Sequence, residues 1–256
     1  MNDFMTTDPN QQSERNHFLE SLKFPSLFIA VIWAIHIFQY IFGLRWGFLG
    51  VYPREFYGLK GIFTSPFIHG DFSHLFNNTI PFFVLSTMTL YFYKKVAMRS
   101  IIMIYILTGF AVWLLARETY HIGLSGIVFG LFGFVLGNGI FRRNIRSIVL
   151  ALIVFLLYSG MLVGLFPTEE GVSWESHAAG FVIGLFTAYF YKEELEAEEI
   201  KHSPWEDEPA LADQPYYFPR DVFEKTKVER RREAEERARN QQRENDGWIS
   251  DSTFDA

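Results

Sequence analysis

The chain has 256 residues, 28 of them phenylalanine, and no cysteine, which excludes a disulfide framework, a thiolate metal site and a cysteine nucleophile. Its net charge of −6 is unevenly spread: residues 1–192 carry 13 Lys/Arg against 10 Asp/Glu, and residues 193–256 carry 10 against 19. The acidic total therefore comes from the tail and says little about partners, and no nucleic-acid partner is expected.

Residues 1–20 are polar, with no apolar core and no small-residue cleavage site, so a cleaved signal peptide is not expected. A helix that crosses a bilayer needs about 20 apolar residues, with about 17 to 25 tolerated. Windows of that kind occur at about 26–43, 75–93, 99–116, 125–141, 147–166 and 177–191. The first and fifth are the clearest, and the fourth and sixth are short and glycine-rich. Phenylalanine at this density, without interleaved charge, argues against a soluble helical protein with a large apolar core. The expected fold class is an all-α membrane protein of six transmembrane helices. Its expected parts are an N-terminal cytoplasmic segment 1–24, a membrane domain 25–192 and a charged cytoplasmic tail 193–256.

Orientation follows from the basic residues. Lys94, Lys95 and Arg99 join the second window to the third, and Arg142, Arg143 and Arg146 join the fourth to the fifth. Neither junction contains an acid, whereas the other connections hold Glu55, Asp71, Glu118, Glu169, Glu170 and Glu175. Short cytoplasmic loops collect Lys and Arg, which places both termini in the cytoplasm. Spans two, four and six then run inward from the external face. His74 opens span two, Ser125 opens span four and His177 opens span six, so three polar side chains are expected at one end and similar depth.

Ionisable groups inside a bilayer are costly and face a bundle interior or a water-filled cavity. In "SHAAGFVIGLFTA", positions 177, 180, 184 and 188 share a helix face at 3.6 residues per turn. That face reads His, Gly, Gly, Ala: a seam of small residues below an imidazole. Gly126, Gly130, Gly133 and Gly137 form a second seam, one residue after Ser125. Small-residue seams let helices approach closely, and packing the two together would bring Ser125 near His177. A serine hydroxyl is a weak nucleophile until a neighbouring base takes its proton, and histidine suits that task near neutral pH. The pair is a candidate acyl-transfer site, although a serine before a helix is commonly an N-cap and a buried histidine is commonly structural.

His74 and Asn78 in "HGDFSHLFNN" are spaced i,i+4 and share a helix face. Both can donate hydrogen bonds to a developing oxyanion, and by spacing alone Asn77 would serve almost as well. His69 lies just before that helix, with Gly70 and Asp71 marking its start. A metal site would use the same histidines, but the H-E-x-x-H of a zinc protease is absent. A haem would find little room between glycine seams. No metal or cofactor is expected.

The stretches "GLSGIVFGLFGFV", "HGDFSHLFNN" and "SHAAGFVIGL" resemble the three signature regions of the rhomboid family of intramembrane serine proteases, in the family's order, over about residues 45–190. The resemblance implies that Ser125 is the nucleophile of the G-x-S-G motif, which begins at Gly123, and that His177 is the general base, with no acidic third member. It implies an oxyanion site built from His74, Asn78 and the Ser125 backbone N–H, which selects Asn78 over Asn77. His69 matches a supporting histidine. Gly126, Gly180 and Gly184 match the close helix seam. Phe129 falls where many relatives carry a tyrosine stacked on the base. The implied substrates are transmembrane proteins in a lipid bilayer, cleaved near the external face, and a bacterial inner membrane is the expected location. Span five and the stretch 167–176 match the family's gate and cap. Relatives commonly carry Trp-Arg four residues before the threonine matched by Thr64, where this chain has Lys60 and Gly61. The competing reading is a non-catalytic rhomboid-like protein that binds and escorts membrane helices, which the intact serine and histidine disfavour.

In the tail, "EELEAEEI" is expected to continue span six into the cytoplasm, and "SPWEDEPALADQPYYFP" reads as an acidic proline-rich linker. "RDVFEKTKVERRREAEERARNQQREN" has i,i+4 Glu–Arg pairs without a sustained apolar stripe, which suggests a solvated or partly disordered helix rather than a coiled coil, able to bind a partner or to tether the protein.

Overall fold

The computed structural model describes residues 9–167, 171–196 and 225–251. The acidic linker and part of the 167–176 stretch lie outside the described residues. Among those described, the chain is helical without strands, apart from one isolated antiparallel bridge between Val51 and His121.

Each of the apolar windows falls on a helix. Helix α1 (Pro9–Ile41) begins well ahead of its window. Its leading turns are held by the far end of α3 (Phe72–Phe92): His17 Nε2 meets the Tyr91 carbonyl at 3.0 Å, and the Tyr91 hydroxyl donates to Glu14 at 3.1 Å. The connection between them carries 3₁₀ turns and the short helix α2 (Gly61–Thr64). Asp71 caps α3 by accepting the His74 N–H at 2.8 Å, the arrangement its short carboxylate favours. Helices α4 (Ala97–Leu115) and α5 (Ser125–Phe141) follow. Helix α6 (Ile145–Tyr158) then passes into a 3₁₀ segment, Ser159–Leu165, where Gly160 and Gly164 lower helix propensity. Helix α7 (Trp174–Phe190) starts behind the N-cap Ser173. Among the described residues three helical stretches are long and apolar enough to cross a membrane: Gln11–Ile41, Ala97–Leu115 and Ile145–Leu165. Helix α5 is apolar but shorter.

The centre of the bundle is α5. Gly126 to Val135 are all buried on it, and a helix apolar on every side belongs in an interior. Its tightest partner is α7. A Cβ at Gly180 would collide with the Gly126 carbonyl oxygen, and one at Gly184 with the Gly130 carbonyl oxygen. Lower down, a Cβ at Gly137 would stand 2.7 Å from that of Ala188. The two seams thus interlock backbone to backbone, without intervening side chains.

The departure at Lys60 and Gly61 also has a structural reason. Gly61 lies under the backbone of Gly50 and Val51, so any side chain there would collide with it. The Lys60 ammonium sits 5.1 Å from the centroid of the Phe48 ring instead.

The expected continuation of the last span through "EELEAEEI" does not occur over its described part. Helix α7 ends at Phe190, and the chain turns back over the basic junction between α3 and α4. There Glu194 pairs with Arg99 at 2.5 Å, and the Glu196 carboxylate accepts the Lys95 N–H at 2.8 Å. Acids that would repel one another along a helix meet the Lys95–Arg99 cluster instead. The chain divides into two compact units, 1–201 and 202–256. In the second, α8 (Lys227–Asp251) is largely exposed over its described side chains, with an Arg231–Glu235 pair at i,i+4.

Candidate active site

The first turns of α3, α5 and α7 open onto one cavity of about 770 Å³. Asp71, His74, Asn77 and Asn78 line it from α3, Ser125 and Phe129 from α5, and Ser173 and His177 from α7. The three polar residues at the heads of their spans therefore line one cavity. Three helix N-termini also converge there, and their dipoles favour negative charge in the cavity.

Ser125 is the first residue of α5, and the N-cap position falls on Leu124, so the hydroxyl is not a cap. Among the described residues it has no hydrogen-bond partner; catalytic hydrogen bonds commonly tighten only with substrate present. Phe129, one turn further on, lies flat against the His177 imidazole, with centroids 4.1 Å apart and planes 8° from parallel. His177 Nδ1 meets the Gly164 carbonyl at 2.9 Å.

Gly123 has a φ of +105°, a conformation natural to glycine, and it carries the chain past His74. A Cβ there would stand 2.8 Å from His74 Cε1, so the glycine gives that ring its place. Asn78 Nδ2 is buried and has no partner among the described residues, an unspent donor on a residue that lines the cavity. His69 does not line the cavity. It sits behind it, where Nε2 accepts the Leu124 N–H at 3.4 Å and its ring meets that of His74 edge to face. Burial pushes His69 down to about 3, with His74 and His36 adding to the shift and Asp71 opposing it. Its ring is accordingly neutral and can act as the acceptor that this contact requires. Gly126, Gly180 and Gly184 serve through the seam.

Sequence reasoning missed a clamp at the start of α7. His121 Nε2 meets the Arg117 carbonyl at 3.0 Å, which can only accept, so Nε2 carries the proton. Burial lowers the His121 pKa, and the Arg117 charge adds to this against the Arg117 carbonyl and Glu175. In the neutral ring Nδ1 then accepts from the Ser173 hydroxyl at 2.5 Å, and Ser173 Oγ accepts from the Ser176 hydroxyl at 2.6 Å. Arg117 also donates to the Val172 carbonyl at 2.7 Å and pairs with Glu175 at 3.2 Å. These bonds fix the turn that carries His177. The signal available was Ser173, a good capping residue just ahead of the last span.

The Rhomboid domain model matches residues 54–194, more than half of the chain and all of this site. The chain belongs to the rhomboid family. With its long apolar helices, it is an integral membrane protein of a family whose members are in general intramembrane serine proteases. It is similar to an uncharacterized protein of Mycobacterium tuberculosis, 36% identical over 172 residues, which cover 63% of this chain and 71% of the relative. An uncharacterized protein of Mycobacterium bovis matches to the same extent. One of Mycobacterium leprae is 34% identical over 140 residues, or 51% of this chain and 55% of the relative.

Proposed function

We propose that this rhomboid is an active serine endopeptidase that cleaves transmembrane-helix substrates near the external membrane face. In this reading six helices, α1 and α3 to α7, cross a bacterial inner membrane with both termini in the cytoplasm. The membrane domain then spans 25–192, between a short N-terminal segment and the charged tail. The observation that carries the proposal is the shared cavity, which collects Ser125, His177, His74 and Asn78 from three helices.

The Ser125 hydroxyl attacks the scissile carbonyl while His177 takes its proton. The resulting oxyanion accepts hydrogen bonds from His74, from Asn78 Nδ2 and from the Ser125 N–H. As the intermediate collapses, the peptide C–N bond breaks and His177 returns the proton to the leaving amine. Water from the external side then attacks the acyl-enzyme, again with His177 as base, and releases the carboxylic acid and free Ser125. Because an intact helix hides its carbonyls in hydrogen bonds, substrates carrying helix-breaking or small residues at the cut are favoured. Neither metal nor cofactor enters these steps, and a chelator is expected to leave turnover unchanged.

Fluorophosphonate labelling tests the reading. The detergent-purified protein should be labelled at Ser125, and His177→Ala should lose that label; labelling indifferent to His177 would remove the dyad. Asn78→Ala should lower turnover of a membrane reporter by about ten- to a thousandfold, the effect of deleting one oxyanion donor. The loss should appear in kcat with KM nearly constant, because the donor acts on charge that develops only in the transition state.

A further inference from the structure

We infer that the backbone carbonyl of Gly164 is the positioning group for His177, in the role that an acidic side chain fills in a three-membered serine triad. Its catalytic meaning rests on the protease reading above, whereas its structural content can be tested separately.

A carbonyl oxygen has lone pairs and no proton, so across the 2.9 Å contact His177 Nδ1 must be the donor. A neutral imidazole protonated at Nδ1 keeps its lone pair on Nε2. That is the nitrogen a serine hydroxyl needs as proton acceptor, and in a triad the third member secures the same tautomer. Among the described residues no carboxylate hydrogen-bonds this ring. Two contacts define its pose. Stacking on Phe129 fixes the plane of the ring, and the Gly164 carbonyl fixes its rotation within that plane.

The local structure explains why this carbonyl is available. Gly164 lies in the last turn of the Ser159–Leu165 segment, where helical carbonyls lack partners within the helix. A Cβ at this position would stand 3.1 Å from Phe129 Cζ and 3.3 Å from His177 Nδ1. Glycine therefore lets the backbone come close enough to bond the ring without displacing the stack.

The experiment combines a spectroscopic and a kinetic measurement. In protein labelled with ¹⁵N-histidine, the His177 signals are assigned by their loss in His177→Gln. The expected spectrum has a protonated Nδ1 and an unprotonated Nε2, the tautomer that free histidine disfavours in water. Replacing Leu165 by its α-hydroxy acid makes the Gly164 carbonyl an ester carbonyl, a weaker acceptor, and adds no side-chain atom. That change should move His177 toward a tautomer mixture and slow fluorophosphonate labelling of Ser125 by about tenfold or more, within the loss known for a wrong tautomer. Gly164→Ala should act in the same direction by crowding the ring. A parent protein protonated at Nε2, or an ester variant with unchanged tautomer and labelling rate, overturns the inference. A parent protonated at Nδ1 that does not react with fluorophosphonate upholds the Gly164 contact and overturns the protease reading instead.

Discussion

Ser125→Ala is expected to abolish cleavage of a membrane-anchored reporter while leaving the fold intact. The hydroxyl caps no helix and holds no other described residue, so its removal leaves no buried group without a partner. Ser125 is itself buried, but with no hydrogen bond lost the change should cost no more than about 1 kcal/mol. Thermal unfolding in detergent should therefore stay close to that of the parent. His177→Ala should also abolish cleavage, but it deletes the stack on Phe129 and the bond to Gly164 together. A stability loss of about 1–3 kcal/mol is expected for that variant, which makes the serine variant the cleaner test. The double variant should be no worse than either single one, because nucleophile and base act as a unit. Reporter cleavage that persists in Ser125→Ala at the parent rate would exclude this serine as nucleophile.

The residues of this site were legible because a membrane makes polar side chains conspicuous. Ser125, His74 and His177 each stand at the head of an apolar window, and the parity of the spans assigns them to one end. The glycine spacing at 126, 130, 180 and 184 likewise announced a close helix pair, and the interlocked seams agree with it. What stayed hidden depends on backbone atoms or on distant pairings. A carbonyl such as that of Gly164 has no sequence signature, since every residue carries one. His121 looked like any loop histidine, because its partner Ser173 is 52 positions away. Composition misled over the described part of "EELEAEEI", whose helix-forming residues suggested a continuing helix. Tertiary charge pairing with Lys95 and Arg99 overrides that propensity, as long-range contacts commonly do.

The second large effect concerns stability, and through it the site. Gly184→Ala should destabilise the protein strongly for the addition of a single methyl group. A Cβ at this position meets the Gly130 carbonyl oxygen and stands 2.8 Å from the Phe134 nitrogen, both backbone atoms of α5. A rigid helix cannot turn aside as a side chain would, so α7 must move as a body. Overpacking a core costs about 1–3 kcal/mol when side chains can adjust, and the upper end of that range or beyond is expected for this variant. Gly180→Ala, against the Gly126 carbonyl, should behave alike and lie one turn closer to His177. Gly47→Ala is the control, because its added methyl meets no described atom within 4 Å beyond its own local backbone and chain neighbours. Thermal unfolding in detergent, followed by helical circular dichroism, measures all three. If Gly184→Ala proved as stable as Gly47→Ala, α5 and α7 could not be packed backbone to backbone. Any fraction of the seam variants that stays folded should label slowly at Ser125, because a displaced α7 carries His177 off the Phe129 ring.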